Sequence, residues 1–155
     1  MKEAQQTLTY TIFKTSSELS NEDAALVEKA RQQTSIAYAP YSNFHVSAAA
    51  LMENGEMITG TNQENASYPV SICAERVLLG TIANLFPGMP VKTIAISYNS
   101  NKVKTDYPIS PCGMCRQALA EYESRINKPI RLLMTGQSGE IFLVNVASHL
   151  LPLAF

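Results

Sequence analysis

The sequence predicts an α/β protein, with a mixed β-sheet and helices on its faces. Three observations carry that class. Runs of strand length alternate with segments whose apolar residues recur at helical spacing, in the order β-β-α-β-α-β-β. An Asn54-Gly55 pair separates the first two of those runs and is a strong hairpin signal. The 155 residues, 46% apolar and 16% charged, are enough for one domain that buries its own core.

Each element has a local reason. Thr7 to Phe13 alternates through Leu8, Tyr10 and Ile12 and reads as a short accessory strand or arm. Ser20-Asn-Glu-Asp23 is a helix start, followed by Val27, Ala30 and Ala37 at helical spacing, and Pro40 closes that helix. Phe44 to Met52 and Glu56 to Asn62 are the strands of the hairpin. A helical run follows residue 73 (Val77, Leu78, Ile82, Leu85, Phe86), and Val91 to Tyr98 reads as a buried strand. A second helical run carries Ala118, Leu119 and Tyr122. Ile130 to Thr135 and Ile141 to Val146 are two further strands around Gly136 to Gly139, and a short helix ends the chain. Repeats, linkers and low-complexity stretches are absent.

Composition excludes several classes of function. A net charge of −1 and a pI near 6.1 argue against a polynucleotide substrate, which needs a basic stripe. No apolar run is long enough to span a bilayer, and Met1 to Gln6 lacks the apolar core of a secretory signal. With three cysteines expected to be reduced, the chain reads as cytoplasmic.

Those cysteines carry the chemistry. Cys112 and Cys115 lie in Pro-Cys-Gly-Met-Cys-Arg with metal-chelating spacing, and Cys73 opens Cys-Ala-Glu-Arg far upstream. Placed at a helix start, Cys112 and Cys115 share one face. Both motifs would sit at helix N-termini, where the dipole and free N–H groups favour thiolates. The two motifs resemble the signature of zinc deaminases, H-x-E followed by P-C-x-x-C, in its three-cysteine form. Three protein ligands leave a coordination position for water, and such water is acidified towards neutrality. Glu75, two residues from Cys73, is then placed to move protons between water and substrate.

Other readings of the cysteines explain less. A redox pair at Cys112 and Cys115 leaves Cys73 and Glu75 without a role. An odd number of cysteines in a chain of this size does not suit a disulfide framework. A closed structural zinc would need His45 or His149, and neither has ligand spacing to a cysteine. Three thiolates around one zinc ion carry an excess negative charge. Arg76 and Arg116, on the same helical faces as Cys73 and Cys112, read as donors to the sulfurs that offset it. For Arg116, an exposed helix-face charge is an equal alternative.

From about Ala24 to Phe155 the chain resembles the small homotetrameric cytidine deaminases of pyrimidine salvage. Besides the cysteine motifs, the likeness rests on Ala39-Pro-Tyr-Ser-Asn-Phe44, Asn62-Gln-Glu-Asn65 and Leu151-Pro-Leu-Ala-Phe155. It implies a three-layer α-β-α sandwich around about five strands, with residues 1–155 forming one catalytic domain and residues 1–20 an N-terminal extension. It also implies one Zn²⁺ per chain and hydrolysis of cytidine and 2′-deoxycytidine to the uridines and ammonia. The substrate is then a small nucleoside, with neither nucleic acid nor membrane as partner. On the residues alone, Asn62 and Glu64 read as part of a solvated turn; the resemblance assigns them to the ribose. It likewise assigns Phe44 to the pyrimidine, and the Ala74 amide and Ser110 carbonyl to the edge of the base. The apolar tail ending at Phe155 should be buried, either on its own domain or, as the resemblance suggests, against a neighbouring subunit's pocket. Ser47 and Leu153 stand where the family commonly has glycine. The blasticidin S deaminases are similar, and Asn62, Glu64 and Phe155 tilt the reading away from them. A zinc-stabilised binding module without turnover is the alternative from another class.

Overall fold

The computed structural model describes residues 1–155. Helix α1 (Asn21–Gln33) starts where the sequence predicts, with the Ser20 hydroxyl accepting from the Asp23 amide at 3.1 Å. It ends earlier than expected and gives way to a 3-10 turn, Thr34–Ile36. The cause is local. The Thr34 and Ser35 hydroxyls donate to the Arg31 and Gln32 carbonyls at 2.8 and 2.9 Å, which draws the last turn tight before Pro40 is reached.

Strands β2 (Phe44–Met52) and β3 (Met57–Thr61) form the hairpin. Gly55 takes φ +87 at its turn, where the Asn54 side chain accepts from the Glu56 amide. Strand β4 (Val91–Ser100) pairs antiparallel with β2 and parallel with β5 (Arg131–Thr135). A parallel pair needs a crossover, and α3 (Gly113–Ile126) supplies it. Strand β6 (Ile141–Val144) returns antiparallel to β5.

One more strand joins than the five main ones expected. β1 (Thr11–Phe13) pairs with β6, so the sheet has six strands in the order β1-β6-β5-β4-β2-β3. The accessory strand is shorter than Thr7 to Phe13, because β6 offers only four residues to pair with, and Leu8 and Tyr10 lie exposed. Past β6 the chain folds into a 3-10 turn, Ala147–Leu150, rather than an α-helix, and Pro152 prevents its extension.

The period of two along the strands divides the molecule into three layers. Ala49, Leu51, Ala95 and Leu133 face α1 and pack with Leu26, Val27 and Ala30. Ala48, Ala50, Met52, Ile94, Ile96 and Leu132 face the other way, towards α2 (Ala74–Leu85) and α3, with Leu78, Ile82 and Leu119. The predicted sandwich is present. None of the helices is long and apolar enough to cross a membrane.

A glycine sets how closely α2 lies on the sheet. A Cβ at Gly60 of β3 would stand 2.5 Å from the Leu78 amide nitrogen and 2.7 Å from the Ala74 carbonyl oxygen, both backbone atoms of α2. Gly60→Ala should therefore push the helix outward and destabilise the fold by about 1–3 kcal/mol, the usual cost of overpacking. Urea unfolding checks this. A loss below about 0.5 kcal/mol, as for an ordinary surface substitution, would show that α2 yields freely.

Candidate active site

Two helix starts converge on one spot. Cys73 is the N-cap of α2 and Cys112 the N-cap of α3, and neither side chain caps its own helix. Cys115 lies in the first turn of α3 and is buried. The three sulfurs lie within 4.8 Å of one another, with Cys73 and Cys112 Sγ 3.8 Å apart. Glu75 projects from the first turn of α2 and is only 4% exposed.

The electrostatics suit thiolate chemistry. The Cys73 thiol is drawn down to about 6, first because Cys115 donates a hydrogen bond to it. Cys112 and the Arg76 charge add to that pull, while burial and Glu75 oppose it. Cys115 is pushed up, first by the same bond to Cys73 and then by burial. Burial also raises Glu75, although its own backbone amide and the Cys115 thiol pull the other way. Its carboxyl thus holds a proton at higher pH than an exposed glutamate does.

Cys73, Cys112 and Glu75 border a cavity of about 620 Å³. Phe44, Asn62, Glu64, Ala74 and Ser110, all singled out in the sequence, also line it. The segment 62–64 is not a solvated turn. Gln63 bridges Tyr38 on one side and Ile72 on the other, continuing the line of β3 towards Cys73. The Asn62 side chain accepts from the Val46 amide at 2.8 Å and donates to the Phe44 carbonyl at 2.9 Å. Glu64 Oε2 accepts from the Tyr41 and Ser42 amides at 2.9 and 3.2 Å. Its slight burial is outweighed by those bonds, the Ser42 hydroxyl and nearby His45, which together hold its carboxyl below the usual range.

Other residues are placed differently. Arg116 donates not to sulfur but to the Pro111 and Leu150 carbonyls, at 2.9 and 3.0 Å. The guanidinium bridges the segment that enters α3 and the turn that follows β6, so it ties the start of α3 to the C-terminal turn. Arg76 is exposed and acts on Cys73 through its charge. Phe155 lies fully exposed, outside the cavity, its carbonyl accepting from Gln117 at 3.3 Å. Leu153 takes φ +55, a left-handed conformation that glycine adopts freely. Ser47 is buried and donates to the Ala30 carbonyl of α1, so its side chain fits without crowding the cavity. His45 contacts the Ala37 carbonyl and His149 lies exposed, so neither completes the sulfur group. The sequence reading missed Tyr41, Tyr68, Ile109 and Met114, which also line the cavity. Tyr41 and Met114 lay within motifs already noted, whereas Tyr68 and Ile109 gave no local signal.

The donor set fits zinc. A tetrahedron with metal–sulfur bonds of about 2.3 Å has edges of about 3.8 Å, the spacing seen between Cys73 and Cys112.

Comparison with known proteins agrees. Residues 20–130 match the family described as the cytidine and deoxycytidylate deaminase zinc-binding region. A cytidine deaminase of Halalkalibacterium halodurans is 39% identical over 130 residues, which span 84% of this chain and 91% of that one. One from Sporosarcina psychrophila is 38% identical over 133 residues, with 83% and 85% covered. The crystal structure of cytidine deaminase from Burkholderia pseudomallei superposes with a TM-score of 0.73 at 36% identity, covering 88% of this chain and 100% of that one. That of cytidine deaminase from Mycobacterium tuberculosis gives 0.63 at 30%, covering 84% and 94%. Since the family match runs from the cap of α1 to the edge of β5 and takes in both cysteine motifs, the chain belongs to the cytidine and deoxycytidylate deaminase family.

Proposed function

We propose that this chain is a zinc-dependent enzyme that hydrolyses cytidine and 2′-deoxycytidine to uridine and 2′-deoxyuridine plus ammonia. The observation that carries the reading is the buried Glu75 beside three convergent sulfurs at one cavity. Cys73, Cys112 and Cys115 would hold one Zn²⁺ per chain. When bound, zinc supplies a Lewis acid that lowers the pKa of water towards neutrality. Glu75 takes the proton of the attacking water and gives it to N3 of the pyrimidine as oxygen adds at C4. It then carries the proton of the new C4 hydroxyl to the 4-amino group, which leaves as ammonia while the C4 carbonyl forms. Burial, which raises the carboxyl's pKa, suits a group that must both take and give protons near neutral pH.

The remaining groups sort by free hydrogen-bonding capacity. Asn62 has one amide hydrogen left after its bonds to Phe44 and Val46, and Glu64 retains Oε1. Each can meet a ribose hydroxyl. The Glu64 charge disfavours a 5′-phosphate, which selects nucleosides. Phe44 faces the base. The Ala74 amide, at the first position of α2, needs no partner within its helix. Together with the Ser110 carbonyl it is available to the base edge.

Ammonia release decides among the readings. Cytidine and deoxycytidine should both yield it, with uridine and deoxyuridine as products, and zinc chelation should abolish it. Release from blasticidin S alone would make the chain an antibiotic deaminase, and release from neither would leave a binding module.

The three unpaired thiols suit a reducing, cytoplasmic setting, and deamination of free nucleosides would serve pyrimidine salvage. The exposed, apolar terminus supports a homotetramer in which Phe155 closes a neighbour's pyrimidine pocket. Deleting Phe155 should then raise the KM for cytidine and leave zinc content unchanged. Exchange of subunits with Glu75→Gln protein should restore activity, since each chain supplies what the other lacks. Mixed tetramers without activity would rule the shared site out.

A further inference from the structure

Tyr98 is prominent outside the residues assigned so far. It lies on β4, is 5% exposed, and does not line the cavity itself. Its partner across the sheet is Val46, so its side chain stands on the cavity face beside Phe44. The Tyr98 and Phe44 rings are stacked, with centroids 4.8 Å apart and planes inclined by 21°. On its other side the Tyr98 hydroxyl donates to the Lys104 carbonyl at 3.2 Å.

That second contact matters because of where the loop leads. Residues 101–112 run from the end of β4 to Cys112, and Ile109 and Ser110 form part of the cavity wall. The loop is bolted down on the far side: Gly136 and Gly139 lie against the backbone of Thr105 and Asp106 with no room for a Cβ, and the Gln137 amide donates to the Thr105 carbonyl at 2.6 Å. The Gln137 side chain donates to the Tyr98 carbonyl at 3.0 Å. Across the cavity mouth, Lys102 Nζ donates to the Ser42 carbonyl at 3.0 Å. Tyr98 therefore touches one wall of the cavity through Phe44 and, through Lys104, the loop that leads to the other wall at Ile109 and Ser110. Burial, with Asp106 adding to it, raises the phenol's pKa and keeps it a donor.

Resting on the cytidine reading above, we propose that Tyr98 is a positioning residue for base recognition. Its ring backs Phe44 so that this aromatic presents a fixed face to the pyrimidine. Removing the ring lets Phe44 leave its rotamer and weakens substrate binding, without touching the zinc ligands or Glu75.

Steady-state kinetics on the full-length zinc enzyme, with uridine affinity by calorimetry, tests this. Tyr98→Leu should raise the KM for cytidine and the Kd of uridine about three- to tenfold, the range of an aromatic pair, with kcat and zinc content near wild type. Where Tyr98→Leu fails to fold, Tyr98→Met fills the same space and is read the same way. Tyr98→Phe, which keeps the ring, should stay within about twofold of wild type, well inside the effect of losing the pair. In a Phe44→Leu background, Tyr98→Leu should add little further, because the ring it supports is gone. Unchanged KM and Kd in the Leu or Met variant would overturn the proposal. So would effects that simply add in the double variant, or kcat and zinc lost together with affinity. Wild-type protein that neither deaminates cytidine nor binds uridine would instead refute the cytidine reading itself.

Discussion

Glu75→Gln is expected to retain zinc and fold while losing about 10²–10⁴-fold in turnover, the span of general acid–base contributions, and to lie at its upper end. Glutamine has the shape of glutamate and can still hydrogen-bond in the buried site, but it cannot accept and return a proton. One carboxyl serves several transfers in this reaction, so no step escapes the substitution. The loss should fall on kcat rather than KM, because the ribose and base contacts lie on other residues. Metal analysis and single-turnover kinetics on the same preparation check both halves. Turnover within about tenfold of wild type would remove Glu75 from the proton path.

Cys112→Ala should release zinc and with it all turnover. With two sulfurs remaining, the site loses a bond that it has no other group to replace: His45 and His149 are engaged elsewhere or exposed. The cost should exceed the about 10–100-fold typical of losing a partner that only orients a ligand. The fold should survive, because Cys112 is exposed and the core of α3 rests on Leu119 and Tyr122. Circular dichroism beside metal analysis separates the two outcomes. Full zinc occupancy in a folded variant would show that Cys112 is not a ligand.

Short-range signals were legible in the sequence because their causes are short-range. The run from Phe44 to Met52, bounded by the Asn54-Gly55 turn, marks β2 residue for residue, and Ser20 marks the start of α1, since turn chemistry and capping act within a few residues. The cysteine cluster could also be read, because soft-metal chemistry restricts the donors to very few residue types. By itself the sequence thus determined the α/β class, the sulfur set and the carboxylate beside it. Tertiary structure decided what depends on distant partners. Arg116 was free to seek sulfur until the chain brought Leu150 within reach, and the carbonyl it found lies 34 residues away. Asn62 and Glu64 looked like a polar turn until β2 and the 41–42 amides took up half of their hydrogen bonds. Strand β1 is limited by the four residues of β6, too few to pair with all of Thr7 to Phe13, and Tyr98 acquired its neighbours only when β4 set it beside Phe44. A residue's type bounds what it can bond, but only the folded chain decides which partner arrives.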